Sequence, residues 1–394
     1  MSSPTDSTQE TTALFNLGFR PFFLAAALFA VLSMIAWAAV YLFNIELSLK
    51  IISPYQWHAH EMIFGYAMAV IAGFLLTAVK NWTGIQTLQK TPLALLFALW
   101  LCARTLFMLG YIPLAGVFDL SFLLFLNLAI LSPILKAKQW KQIAIVSKLI
   151  LLLLFNLLFY LGAMGWMQNG LYLGLYGALY TMIGLILTMG RRVIPFFISK
   201  GVAQNVDIKN SKILDISSLI FFLAFTAFEL FYPHQIASAY LAIALFVINA
   251  VRLFNWHTPG IWQRPLLWSL YCSLCFICLG FLMFAGAYFF NYPYTLAIHA
   301  FTYGGIGALT LAMMSRVALG HTGRSIAQPA PMMSIAFIII FIGGLCRTLL
   351  PLALPEYYKF WVGVSQLLWI AGFCLFVGIY YPILMKNRID GKAG

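Results

Sequence analysis

Apolar residues run along this chain in long unbroken stretches. They do not alternate as in a half-buried strand, nor form the one-sided stripe of a surface helix. A helix needs about 20 apolar residues to cross a bilayer. Twelve such stretches lie near 21–43, 57–79, 93–112, 114–135, 143–163, 170–190, 213–231, 236–254, 265–290, 294–317, 332–351 and 357–383. They predict an all-α, polytopic transmembrane helix bundle. Closed β-barrels are excluded because the runs are continuous. Residues 1–16 read as a polar, disordered cytoplasmic tail, 17–385 as one bundle, and 386–394 as a second cytoplasmic tail. Little chain remains for a domain outside the membrane.

Composition strengthens this reading. Hydrophobic residues make up 63% of the 394 and charged residues 8%, against roughly 45–50% and 25% in soluble chains. So few charges cannot cover a soluble surface, and disorder or collagen is excluded by the same numbers. The net charge of +13 invites a nucleic-acid partner. The bases are scattered singly instead of gathered on one face, which argues against that. Membrane topology accounts for them. With both termini cytoplasmic, only four of the 23 bases miss the inner side. Lys50 and Lys359 fall outside, and Arg104 and Arg347 fall within spans. This is the positive-inside pattern, and it requires an even number of spans. No cleavable signal peptide is read, since residues 1–16 carry no Lys or Arg.

Polar groups at bilayer depth are costly and default to functional candidates. The densest group opens span 2: Trp57-His58-Ala59-His60-Glu61-Met62-Ile63-Phe64-Gly65-Tyr66. On a helix, His58 and Glu61 share a face, and His60 points roughly 200° from His58. Glu61 is therefore expected to accept the free N–H of His58 and fix its tautomer, as metal-bound histidines commonly require. The plainer account is a histidine pair wetted by headgroups.

Span 10 opens in a parallel way, with His299-Ala300-Phe301-Thr302-Tyr303-Gly304. His299 and Tyr303 share a face. An offset of 239 brings His60 onto His299, Gly65 onto Gly304, Ala69 onto Ala308, Thr83 onto Thr322 and Gly84 onto Gly323. Small residues recur every fourth position in both spans: Gly65, Ala69, Gly73 and Thr77, then Ala300, Gly304, Ala308 and Ala312. Such ridges admit a close helix or a flat cofactor. Span 3 carries Leu101-Cys102-Ala103-Arg104-Thr105-Leu106, and span 11 echoes it with Leu345-Cys346-Arg347-Thr348-Leu349. Each arginine is expected to find an anion or carbonyls, with Glu61, an anionic group of a cofactor or a backbone carbonyl as the candidates. A repeat eight helices apart suggests three four-helix units, with span 6 as the middle counterpart. That span has Tyr172, Tyr176 and Tyr180 but no histidine.

Cys272, Cys275 and Cys278 read as helix packing, since iron–sulfur and zinc ligands usually sit on loops. His321 is too far along span 10 to share a ligand with His299, as 22 residues of helix span roughly 33 Å. No phosphate-binding, dinucleotide, triad or kinase motif is present.

The blocks Gly18-Phe19-Arg20-Pro21-Phe22-Phe23, Trp57 to Met62 with Gly65-Tyr66, Asn81-Trp82-Thr83-Gly84, His299 to Thr302, and Ser315 to Arg324 resemble the NnrS family from residue 14 to the last span. Arg20, Arg192, Arg316, His321 and Arg324 are counted with this family pattern. Lys80 stands where the family often has proline. The resemblance implies a bacterial inner-membrane protein that carries haem and copper. It implies a role in nitric oxide metabolism or nitrosative stress, and a haem-dependent oxidoreductase acting on nitric oxide is the enzyme reading that follows. The implied partners are the bilayer, nitric oxide or nitrosylated species, and a membrane or periplasmic electron donor.

The residues suit this. Haem takes axial imidazoles, and copper favours imidazole or thiolate. His58, His60 and His299 begin their helices at similar depth. Haem is expected on His299 and one of His58 or His60, with Glu61, Tyr303, Arg104 and Arg347 around it. Haem–copper oxidases offer an analogy, with three four-helix units and haem histidines on the second and tenth spans. This chain departs from them in lacking histidines on spans 6 and 7. The alternative is a transporter for a metal, haem or a nitrosylated thiol complex. The repeated spans run in the same direction, which weighs against inverted repeats. A cofactor-free assembly factor would leave Glu61, Arg104 and Arg347 unexplained.

Overall fold

The computed structural model describes residues 12–203, 206 and 208–392. Twelve helices among them are long and apolar enough to cross a bilayer. Spans 1 to 6 are Phe19–Phe43, Pro54–Thr83, Lys90–Met108, Ile112–Lys136, Trp140–Ala163 and Gly170–Gly201. Spans 7 to 12 are Lys212–Phe231, Ile236–Trp256, Pro265–Phe290, Tyr294–His321, Pro331–Ala353 and Pro355–Met385. The sixth is longer than its apolar run suggests. It continues through Arg191, Arg192 and Pro195, and Arg192 donates to Gln142 Oε1 at 3.0 Å. Charge ends an apolar run without ending a helix.

Each span packs against the next, and span 12 closes on span 1. Spans 2, 6 and 10 touch one another. Their most apolar windows are 83%, 61% and 72% buried, whereas span 7 is only 28% buried. Spans 2, 6 and 10, four apart in chain order, therefore meet at the centre of the bundle. Span 9, also 72% buried, packs behind span 10.

Spans 2 and 10 share a second feature. Glu61–Ala67 and Ala300–Gly307 both wind as π-helix. The offset of 239 that aligns the two sequences also aligns the starts of these turns. π turns are rare and are frequent at functional sites. The match continues to the far ends of both helices. Thr83 and Thr322 each donate to a carbonyl four residues back, at Val79 and Ala318, both at 2.7 Å. Gly84 and Gly323 then adopt φ of 71° and 76°, a conformation glycine takes without penalty. Helix packing occupies the small-residue ridges. A side chain at Gly65 would strike Phe29, one at Gly73 would strike Phe23, and one at Gly304 would strike Phe276.

The expected tail over 1–16 is ordered where it is described. Residues 1–11 lie outside the described residues. Ala13 N–H donates to Met385 O at 2.9 Å, and Phe15 O accepts from Lys90 N–H at 2.8 Å. Arg20 Nη1 donates to the carbonyls of Ile383, Leu384 and Lys386 at 3.3, 2.8 and 2.7 Å. One buried guanidinium thus caps the last helix and joins the two ends of the chain, because the final carbonyls of a helix have no partner within it.

Replacing Arg20 with methionine should cost about 2–3 kcal/mol, since hydrogen bonds to a charged group contribute roughly 1.5–3 kcal/mol. Thermal unfolding in detergent reads this. A Tm equal to that of the parent chain would remove the cap from its structural role.

Candidate functional site

A cavity of about 580 Å³ lies between spans 2, 6 and 10, at the end of the bundle opposite the chain termini. Met34 of span 1 and Trp369 of span 12 help close it. His58 and His299 both line it, with Tyr172 and Tyr176 from span 6.

Local sequence positions both histidines. Span 2 starts in a capping box: Ser53 Oγ accepts from Gln56 N–H at 3.3 Å, and Gln56 Oε1 accepts from Ser53 N–H at 2.8 Å. Pro54 occupies the first turn. This fixes the helix start, and His58 follows one turn later. Its ring stacks on Trp37 at 4.6 Å and 10°. Its Nδ1 is buried without a hydrogen-bond partner. Span 10 starts after Pro293, and His299 Nδ1 donates to Thr295 O at 2.6 Å. That bond assigns the proton to Nδ1 and leaves the Nε2 lone pair available. Arg347 lies within electrostatic range of both rings, and the two rings lie within range of each other. The guanidinium donates to Tyr358 Oη at 3.3 Å. Tyr303 lines the same cavity, but its hydroxyl donates to Ser365 O at 2.7 Å, so it does not meet His299.

His60 faces elsewhere. It is fully buried among spans 3, 4 and 5, stacked on Phe107 at 4.4 Å and 10°. Its Nδ1 lies 3.1 Å from Glu61 Oε1, and its Nε2 lies 3.0 Å from Asn156 Oδ1. Asn156 Nδ2 donates to Asp119 at 3.0 Å, which turns the amide oxygen toward His60. Tyr160 donates to the same Asp119 oxygen at 3.1 Å. Arg104 sits between the acids, bonded to Glu61 and paired with Asp119 at 2.6 Å.

Two expectations are therefore corrected. His60 does not converge with His58 and His299, because residues two apart on a helix point to opposite sides and both its ring nitrogens already face oxygen atoms. Glu61 does not orient His58. It pairs with Arg104 and His60, since a guanidinium is the stronger partner for a buried carboxylate. The two arginines also part company: Arg104 is buried between carboxylates, while Arg347 is half-buried against a tyrosine.

Asp119, Asn156 and Tyr160 were not singled out from sequence. The signal was present for Asp119, the only carboxylate within the apolar run of span 4, where an acid defaults to a candidate. Its partners lie 41 positions or fewer away on span 5, and no sequence pattern pairs them. The remaining family-pattern residues gather away from the cavity. Arg316 stacks on Phe197 at 3.8 Å, His321 packs on Phe19 at 5.8 Å, and Arg324 donates to Thr322 O at 3.4 Å. These lie at the end bearing the termini, near Arg20. Cys272, Cys275 and Cys278 of span 9 do not group as metal ligands among the described residues.

The family model described as NnrS protein matches residues 13–388. Comparison with curated proteins gives no match.

Removing Arg104 would leave two buried carboxylates without their counter-ion. Arg104→Met should cost about 3–5 kcal/mol, and Arg347→Met under about 1 kcal/mol. Adding Glu61→Gln and Asp119→Asn should recover part of the first loss. Folded yield and Tm in detergent report all three. Equal losses for the two arginines would show that the cluster does not set stability.

Proposed function

Because the chain belongs to the NnrS family, we propose that this membrane protein of the nitric oxide response holds haem in the cavity between spans 2, 6 and 10. His58 and His299 would hold it, and nitric oxide or a nitrosylated species would meet the protein there. One observation carries the reading: two imidazoles from facing helices, each with a ring nitrogen free of other partners, line one cavity.

The residues fit the group. A volume near 580 Å³ lies within the roughly 300–1,000 Å³ of small-molecule and cofactor sites. The walls are mainly apolar and aromatic, including Tyr172, Tyr176, Tyr303 and Trp369. The Thr295 carbonyl holds the His299 ring in the tautomer that offers Nε2, the role a partner to a ligating histidine plays. Burial of the unpaired His58 Nδ1 costs free energy unless something engages it, and a ligand in the cavity would do so. Arg347, within electrostatic range of both rings, suits the anionic side groups of a porphyrin.

Bound haem would supply a metal centre for gas binding and electron transfer. The protein's own contribution is to orient two imidazoles and to hold one positive charge within electrostatic range of them. Copper is less well provided for. Among the described residues no three His, Cys, Asp or Glu side chains group as metal ligands, so the copper that the family resemblance implies has no ligand set beyond the two cavity histidines. Nothing favours the transporter reading in particular. The central helices pass through their π turns without unwinding, unlike the broken helices typical of secondary transporters.

His299→Ala and His58→Ala should each strip haem from the purified protein while leaving membrane insertion intact. The loss should exceed the roughly 10–100-fold that follows from removing an outer-shell partner of a metal ligand. His60→Ala should instead lower folded yield. Haem content by absorbance, normalised to protein, distinguishes these effects. Full haem occupancy in both cavity variants would end the assignment.

A further inference from the structure

The apolar interior of the central helices does not stop at the histidine cavity. A second cavity of about 100 Å³ lies beside it, toward the end that carries the termini. Ala67, Met182 and Ile306 line both cavities. One comes from each central span. Ala67 and Ile306 are equivalent under the offset of 239, and both belong to the π turns. The junction is therefore built where the repeated helices widen.

The wall of the second cavity is almost without polar groups. Thr310 is the one lining residue with a polar side chain. Its hydroxyl is already engaged, donating to Ile306 O at 2.7 Å and meeting Tyr66 Oη at 2.5 Å. A buried water needs two to four polar partners, and apolar cavities stay dry. An ion or a hydrogen-bonding ligand would lose its hydration there without recompense. What remains is a small uncharged apolar molecule. An engineered dry cavity of about 150 Å³ takes up benzene or xenon, so about 100 Å³ suits an occupant the size of xenon or a diatomic gas.

We propose that this second cavity is a dry binding site for a small uncharged apolar molecule and supplies it to the histidine cavity past Ala67, Met182 and Ile306. The binding site stands on the geometry of the cavity alone. Its destination rests on the reading of the histidine cavity given above.

The test uses xenon on the purified full chain. Xenon-pressurised crystals should show xenon between spans 2, 6 and 10 beside Val70 and Leu309. Val70→Phe and Leu309→Phe each fill the space and line only the second cavity; each should abolish that occupancy, and two variants guard against one failing to fold. In haem-loaded protein, the same variants should slow nitric oxide association at least 10-fold with haem content unchanged. Absence of xenon from the second cavity of the parent chain overturns the binding site. Xenon binding with an unaltered association rate in both filled variants overturns the supply role. If the chain retains no haem, the reading of the histidine cavity fails, and xenon occupancy still decides the binding site.

Discussion

Arg104, buried between Glu61 and Asp119 where spans 2, 3 and 4 meet, is the constraint on which the rest of this structure depends. In a low dielectric, an unpaired charge is far more costly than in water. The three charges cannot separate, so spans 2, 3 and 4 are held in one rotation and one register. His60 adds span 5 through Asn156. Once the His60 side of span 2 is committed to this cluster, His58, roughly 200° around the helix from His60, faces the cavity. The ion cluster thus aims a histidine it never touches.

The π turns complete the geometry. Each widens a central helix by one residue per turn just after its histidine. His60 and His299 are equivalent in sequence, yet they serve different neighbourhoods. His60 enters a space filled by Asp119, Asn156 and Tyr160. His299 enters a space left open. A repeated backbone carries two different interiors, and the difference lies in the side chains contributed by adjacent spans. Where polar groups fill the space, the histidine is bound on both nitrogens. Where aromatic rings surround it, a nitrogen is left free.

Much of this was legible in the sequence. Twelve unbroken apolar runs determine a twelve-helix bundle, because a backbone in lipid must satisfy its own hydrogen bonds. The offset of 239 exposed the repeat of spans 2 and 10. Polar residues at bilayer depth pointed to His58, His299, Glu61 and Arg104. Each of those readings depends on composition or on spacing within one helix, which the order of residues contains.

Which of these residues meet was decided only by tertiary structure. In the sequence, both His58 and the buried arginines were open to Glu61, and packing paired it with Arg104. Asp119 and Asn156 lie on helices whose rotation no periodicity announces, since their surfaces are apolar nearly all round. The cavities are not encoded in any run of residues; they are what three helices leave between them. Partner choice for a buried charge depends on which opposite charge comes within reach in three dimensions, and the chain order is silent on that distance.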